Sequence, residues 1–538
     1  MKLNIRLLMT GLLVQLAVSL VAQNRLFVIS DPHVISPELV AGKEAFAKEQ
    51  ATSIKMTDKS CELMQALVDT IIQQRPDAVL IPGDLTMQGA RASHLTVQGY
   101  LKQLREAGIK VYVIPGNHDV NNRNAVRYDG ASTTSVPSVT SEEFAAIYSD
   151  MGYGEGVERD AASLSYSCEP IEGLYLIAID DNNTIARDTK PTASTNGIPA
   201  STEEWVWQQA AKAQAEGKQV IAMMHHQLVE HFDKQSKVVV EAAVDKASVL
   251  RDAFISHGIR LVLTGHMHLS NVTTYKNAEM ADSLVEITTG APIVYPCHYR
   301  MIDVSPDRSE FKVTTGKLSN ISGYDGDFQD YARERILASS KGTFESLIRR
   351  HWSRISKKME NYVDYFEGRN FTQEYTSEFL YGIMKGTFDR AELFILEGNE
   401  GQAGAADVIY DSLVVCLDTV IDSLMPGRDS FSTAIIKAGI IYMAEENAGD
   451  VFRSVLTDCT NYGTDAANVT DDLSPRIVLP SSYVPSGIRS VSGNQSSTRP
   501  RIFTADGREI SGSTSLSSLP TGFYVIKEGT KSKKIIVN

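Results

Sequence analysis

The sequence predicts an α/β protein: a β-sandwich flanked by helices, followed by an all-α domain and a small C-terminal β-module. Three observations carry this. Short β-rich runs alternate with amphipathic helices as far as about residue 317. The apolar period then turns helical across 326–458, and the C-terminal residues read as strands joined by turns. In the first part, strands alternate with helices and then continue alone, an order that fits sheets packed together with helices outside.

Residues 1–22 read as an export signal. Lys2 and Arg6 precede the apolar stretch "LLMTGLLVQLAVSLVA", and Ala22 before Gln23 marks a cleavage point. The alternative is an uncleaved membrane anchor. A second domain spans 23–318. In it "RLFVIS" (25–30), "DAVLI" (77–81), "KVYVI" (110–114), "QVIAMM" (219–224) and "IRLVLT" (259–264) read as buried strands. Helices are expected over 58–74, 90–107, 202–216 and 246–257, and strands at "SLVEITTG" and "EFKVTTG". The segment 120–162, rich in Ser, Thr, Asn and Gly, reads as a loop inserted over the edge of the sheet.

A helical domain is expected over 319–470, where stretches such as "AADVIYDSLVVCLDTVIDSL" carry apolar residues at three- and four-residue spacing. Residues 471–487 have linker composition. Residues 488–538 read as a strand, an Asp-Gly turn and two further strands.

With 538 residues the chain exceeds what one core supports, so two or three domains are the prior. It has 52 Lys and Arg against 66 Asp and Glu, a net charge of −14 that argues against nucleic acid as partner. Past the leader, no other stretch approaches the ~20 apolar residues of a membrane span. Cys61, Cys168, Cys297, Cys416 and Cys459 are odd in number, widely scattered and without a CxxC pair. They indicate neither a disulfide framework nor a zinc knuckle, and read as packed or free thiols.

The chemistry gathers where strands end. "SDPHV" offers Asp31 and His33, "PGDLT" offers Asp84, and "PGNHD" offers Asn117, His118 and Asp119. "MMHHQ" offers His225 and His226, and "TGHMH" offers His266 and His268. Ligands of open α/β folds sit beyond the carboxyl ends of strands, so five such ends converge on one point. In extended backbone, residues i and i+2 share a side, which lets Asp31 and His33, or His266 and His268, reach one centre together. Gly83, Gly116 and Gly265 release the chain from β geometry. Carboxylate, amide and imidazole suit divalent first-row metals such as manganese, iron or zinc, and without thiolates a closed structural zinc site is disfavoured.

In this order "DPH", "GD", "GNHD", "MMHHQ" and "GHMH" resemble the calcineurin-like metallophosphoesterase superfamily, over roughly 25–317. The resemblance implies a metallophosphoesterase β-sandwich with two divalent metal ions. Asp31, His33 and His268 would hold one and Asn117, His225 and His266 the other, with Asp84 bridging; His226 is the alternative to His225. His118 would protonate the leaving oxygen or stabilise charge there. Asp119 would orient its ring, a solvated or helix-capping role being the alternative. The implied activity is hydrolysis of a small phosphomonoester or phosphodiester by a bridging hydroxide.

"GDLTMQG" departs from two branches. Ser/Thr protein phosphatases resemble GDYVDRG there, whereas Met87 and Gln88 replace the aspartate and arginine. Purple acid phosphatases would carry tyrosine at Met87 and glycine at His33. "GDLT" followed by a glycine, then a helix, a strand and "GNHD", resembles bacterial single-chain phosphodiesterases and phosphatases. Asp180, Asp181, Asn182 and Asn183 follow the strand "LYLIAI" and either form a turn or line the mouth. His94, His231, His257, His298 and His351 read as surface or packed residues.

"ADGREI", "TGFYVIK" and "KKIIVN" resemble the sorting domain of the Bacteroidetes type IX secretion system, which implies a partner in secretion machinery; a plain β-appendage is the alternative. The expected location is the periplasm, cell surface or exterior. A rival function is a cell-envelope binding protein that keeps the fold without turnover, although no expected ligand is missing. Another treats the helical domain as a docking platform.

Overall fold

The structure, a computed structural model, describes residues 24–51, 53–190, 195–231, 235, 242–276, 282–339, 349 and 474–480, together with the backbone of four C-terminal strands. The expected signal segment, the expected helical domain beyond 339 apart from residue 349, His351, Cys416 and Cys459 lie outside the described residues. The chain divides into two compact units, Met1–Val484 and Pro485–Asn538.

In the first unit, strand β1 (Asn24–Val28) leads through helices α1 (Lys43–Gln50) and α2 (Ser60–Gln74) to β2 (Ala78–Ile81). Helix α3 (Arg91–Glu106) leads on to β3 (Lys110–Val113). The hairpin β4 (Val126–Asp129) and β5 (Ser132–Ser135) and helix α4 (Ser141–Ile147) precede β6 (Glu158–Arg159), β7 (Tyr166–Ile171) and β8 (Leu174–Ala178). Helices α5 (Thr184–Thr189) and α6 (Ala200–Ala215) connect to β9 (Gln219–Met223), and α7 (Ala247–Ser256) to β10 (Leu261–Thr264). Then come β11 (Asn271–Lys276), β12 (Ser283–Thr288), β13 (His298–Val304), β14 (Glu310–Lys317) and, further along, β15 (Arg476–Val478).

These strands form two mixed sheets, ordered β15-β14-β13-β1-β2-β3 and β11-β12-β10-β9-β8-β7-β6. β1, β2 and β3 run parallel in the first, and β8, β9, β10 and β12 in the second. The pleat explains the packing. Leu174, Leu176 and Ala178 of β8, Ile221 and Met223 of β9, and Leu261 and Leu263 of β10 enter the main core shared with the first sheet. Alternate residues Tyr175, Ile177, Val220, Ala222 and Val262 belong to a second core with α6 and α7. On the first sheet α2 buries Leu63, Met64, Leu67, Val68 and Ile71, a stripe at helical spacing. Each fully buried Leu or Ile contributes about 1.5–3 kcal/mol, so the sandwich interior is what fixes the two sheets to each other.

The segment 120–162 is not a surface loop. It holds a hairpin, a helix and β6, and buries Phe144, Tyr148, Met151 and Tyr153 in the main core. "TSEE" is a capping box: the Glu143 N–H donates to the Thr140 hydroxyl at 3.2 Å, and the Thr140 N–H donates to Glu143 at 3.0 Å. Strands β7 and β13 escape the sequence patterns for physical reasons. Pro170 sits in β7 beside a register shift, and β13 carries Arg300, whose fully buried guanidinium donates to the carbonyls of Thr288 and Asn271. Within the segment expected to be linker, Arg476–Val478 adds a strand to the edge of the first sheet.

The second unit shows four backbone strands, β16 (Arg501–Thr504), β17 (Glu509–Ile510), β18 (Gly522–Glu528) and β19 (Lys531–Val537). They form an antiparallel sheet in the order β17-β16-β18-β19. No helix among the described residues is long and apolar enough to cross a membrane.

Candidate metal centre

The polar residues follow the parallel strands of both sheets: Asp31 and His33 after β1, Asp84 after β2, and Asn117 after β3. His225 follows β9, and His266 and His268 follow β10. The site therefore lies where the carboxyl ends of the two sheets meet.

The donors fall into two overlapping sets. Donor atoms of Asp31, His33, Asp84 and His268 all lie within 4.8 Å of one another. His33 Nε2 is 3.0 Å from His268 Nε2, and His268 Nε2 is 3.5 Å from Asp31 Oδ1. In the second set His225 Nε2 is 3.0 Å from Asn117 Oδ1, and His266 Nδ1 is 3.2 Å from the same oxygen. Asp84 joins the two, because its Oδ2 is 3.5 Å from both His33 Nε2 and His225 Nε2. Its other oxygen accepts the His118 N–H at 2.8 Å.

The backbone reaches this arrangement by a route the residue spacing did not reveal. Asp31, His33, Asp84, His266 and His268 have φ of 54°, 42°, 49°, 67° and 59°. The expected i, i+2 extended geometry is thus replaced by left-handed turns, each costing a non-glycine residue about 1–3 kcal/mol. Cross-ties hold the turns: the Asp31 N–H donates to the Gly83 carbonyl at 3.2 Å and the His33 N–H to the Asp84 carbonyl at 3.0 Å. Gly83, at φ 96°, does need conformational freedom. Gly116 and Gly265 serve close approach instead. A Cβ on Gly116 would overlap Asp84, and one on Gly265 would overlap the Ser30 hydroxyl and come within 2.5 Å of Asp31 Oδ2.

Supporting bonds aim the donors. The Pro82 carbonyl lies 2.8 Å from His225 Nδ1, which leaves Nε2 facing Asn117 and Asp84. Ser30 Oγ donates to Asp31 Oδ2 at 2.5 Å, and the His266 N–H to the same oxygen at 3.0 Å. Asp181 was expected only to form a turn or line the mouth. Buried at the end of β8, it accepts the N–H groups of His225 at 3.2 Å and His226 at 2.7 Å. A carboxylate just past a parallel strand next to β9 was the signal available for it. His226 also places Nδ1 3.2 Å from Asp181 and packs its ring 4.4 Å from that of His266. It belongs with His225 and His266 to a third group of converging donors, so it borders the centre, while His225 faces Asn117 and Asp84.

His118 stands at the rim, with a side chain 26% exposed. Its Nδ1 lies 2.6 Å from the Met87 carbonyl and its Nε2 4.0 Å from Asp84 Oδ2. Burial lowers its pKa, against the pull of Asp84. Asp119 does not orient that ring. It is fully buried and accepts the N–H groups of Leu85 (3.0 Å), Thr86 (2.9 Å) and Gly116 (2.9 Å), and the Thr86 hydroxyl (2.8 Å). It binds the β2 turn to the β3 turn. The pocket's carboxylates call for positive charge: burial disfavours protonated His225, yet Asp84, Asp31 and Asp181 raise its pKa to about 10. Hard oxygen and imidazole donors around so cation-seeking a pocket fit divalent first-row metals.

The remaining described histidines have partners away from the centre. His94 bonds the Asp119 carbonyl and Tyr148, His231 bonds Thr288, His298 bonds Ser270, and His257 stacks on Trp207. Cys61, Cys168 and Cys297 are free thiols.

Among solved structures, a dimetal phosphatase from Danio rerio aligns at 12% identity and a TM-score of 0.41, covering 55% of this chain and 96% of that one. A purple acid phosphatase from yellow lupin (Lupinus luteus) aligns at 12% identity and a TM-score of 0.35, covering 56% of this chain and 53% of that one. No curated protein matches the sequence. The calcineurin-like phosphoesterase family matches residues 25–270, the stretch that contains all seven converging donors. Residues 25–270 are a calcineurin-like phosphoesterase domain.

Proposed function

We propose that this protein hydrolyses phosphate esters with two divalent metal ions, manganese, iron or zinc. One observation carries the reading: two donor sets from five strand ends share the single carboxylate of Asp84. Two divalent cations held there would supply activation of a water nucleophile and charge neutralisation for the phosphoryl oxygens. Asp31, His33 and His268 are the proposed ligands of one and Asn117, His225 and His266 of the other, with Asp84 common to both.

The protein's own groups do the rest. Asp84 uses one oxygen to fix the His118 backbone, so the ring is registered to the shared carboxylate. The Met87 carbonyl holds His118 Nδ1 and leaves Nε2 facing the open side, where it gives a proton to the leaving oxygen. Because the Met87 carbonyl accepts from Nδ1–H, donation from Nε2 takes the imidazolium form, which burial opposes and Asp84 favours. Asp119 keeps the two turns that carry Asp84 and Asn117 in register.

The test is elemental analysis of the purified protein together with a screen of chromogenic mono- and diesters under added manganese, zinc or iron. About two equivalents of metal and metal-dependent turnover are expected. A protein that binds no metal and cleaves no ester would refute the reading. We also propose export through residues 1–22, with secretion machinery as partner of the C-terminal module; a mature N-terminus at Gln23 is the expected sequencing result.

A further inference from the structure

The turn after β3 continues past His118 as "DVNN", and its second asparagine reaches back to that histidine. Asn122 is half-buried. Its Oδ1 accepts the Asn124 N–H at 2.9 Å; a backbone N–H can only donate, so the NH2 end of the amide faces the other way. That NH2 donates to the His118 carbonyl at 3.0 Å and to Gln88 Oε1 at 3.0 Å. Gln88 directly follows Met87, whose carbonyl lies 2.6 Å from His118 Nδ1. A ring of contacts therefore closes around His118: imidazole, Met87 carbonyl, Gln88 side chain, Asn122 amide and the His118 carbonyl. The β2 and β3 turns meet closely here, since a Cβ on Gly89 would come within 2.9 Å of the His118 carbonyl oxygen. A third stretch, 137–139, splints them. The Val139 N–H donates to the Gly89 carbonyl at 3.1 Å, the Asn121 N–H to the Val139 carbonyl at 2.9 Å, and the Asn122 N–H to Ser138 Oγ at 2.9 Å.

The direction of the imidazole depends on two things, where its own backbone sits and where the Met87 carbonyl sits. Asp119 fixes Leu85, Thr86 and Gly116, and Asp84 fixes the His118 N–H. Asn122 takes the remaining side, the His118 carbonyl and the side chain next to Met87, and joins them through one planar amide. We infer that Asn122, with Gln88 as its acceptor, is a positioning residue that holds His118 Nε2 at the leaving oxygen. This rests on the phosphoesterase reading, with His118 as proton donor, and adds what aims the donor. A group that aims a proton matters most where the leaving oxygen is basic and little where it departs unprotonated. A residue that merely supported the fold would affect both kinds of ester alike.

The test compares wild type with Asn122→Ala, Asn122→Asp and Gln88→Met, and with His118→Ala alone and combined with Asn122→Ala, all loaded with manganese. Asn122→Asp keeps the acceptor for the Asn124 N–H but has nothing to donate. Turnover is followed on phenyl phosphate, whose leaving group is strongly basic, and on dinitrophenyl phosphate, whose leaving group needs little protonation. Either Asn122 variant should lose about 10- to 100-fold in kcat on phenyl phosphate, the usual cost of a misplaced catalytic group, with KM within about threefold of wild type. On dinitrophenyl phosphate the loss should stay below about threefold. Gln88→Met removes one of the two acceptors and should lose less. In the His118→Ala background Asn122→Ala should cost nothing further, because the two act as one unit. Metal content by elemental analysis should stay at the wild-type level in every Asn122 and Gln88 variant. Wild-type kcat in both Asn122 variants, equal losses on the two esters, additive losses with His118→Ala, or lost metal would each overturn the inference while wild-type turnover stands. Full turnover by His118→Ala would overturn the proton-donor role, and a metal-loaded wild type that cleaves neither ester would overturn the phosphoesterase reading; this inference falls with either.

Discussion

Replacing Asp119 separates its bracing role from a chemical one. Its carboxylate accepts three buried backbone N–H groups and one hydroxyl, from Leu85, Thr86 and Gly116. Asp119→Ala strands all three N–H groups without water. At about 1–3 kcal/mol each the loss is on the order of 3–9 kcal/mol, a large part of the ~5–15 kcal/mol that holds a domain together. Asp119→Asn is milder. With its amide NH2 turned toward Thr86, whose hydroxyl can accept, it strands one N–H and costs about 1–3 kcal/mol. The expected order of melting temperature is wild type, then Asn, then Ala, measured by calorimetry. Manganese content should fall in the same order, because the turns bearing Asp84 and Asn117 lose their common anchor. An alanine variant that melts with wild type, or two variants equally inactive at full stability, would refute the bracing argument.

Three further outcomes follow from the geometry. His118→Ala should keep its metal by elemental analysis and lose roughly 10²–10⁴-fold in turnover, the usual worth of a positioned proton donor. His225→Ala should lose about one equivalent of metal and His226→Ala none, since only His225 faces both Asn117 and Asp84. Glu286 is fully buried, and burial raises its pKa to about 7, against the N–H groups of Val229 and Leu228 and the hydroxyls of Thr264 and Thr288. Between the ordinary glutamate value of ~4.3 and that higher one the folded state holds the extra proton, so stability falls as pH rises through the window. Glu286→Gln mimics the protonated acid and should flatten that slope in denaturant unfolding between about pH 4.5 and 7; an unaltered slope would refute the assignment.

Much of this was legible because strand ends are marked twice, by an apolar run that stops and by polar residues crowded just after it. "KVYVI" followed by "PGNHD" carries both marks, and Lys110–Val113 is a parallel strand with Asn117 beyond it. What the residues concealed were properties of backbone and neighbourhood. Nothing in "DPH" announces a φ of 54° at Asp31, since spacing records which residues are near and not how the chain turns. Asp119 and Asp181 are carboxylates like the proposed ligands, and only their partners, backbone N–H groups in both cases, show them to be braces. The segment 120–162 looked like a loop because its Ser and Thr outnumber the aromatics that bury it.

The centre draws Asp31, Asp84 and Asn117 from one sheet and His225, His266 and His268 from the other. A slip of one residue between the sheets, ~3.3 Å, would leave every strand paired and pull the donors out of common reach. The oily interior therefore acts as a gauge block, setting the clearance at which the two halves present their tips. Trimming Ile221 or Leu263, both far from any solvent, would blunt activity through misalignment well before the protein comes apart.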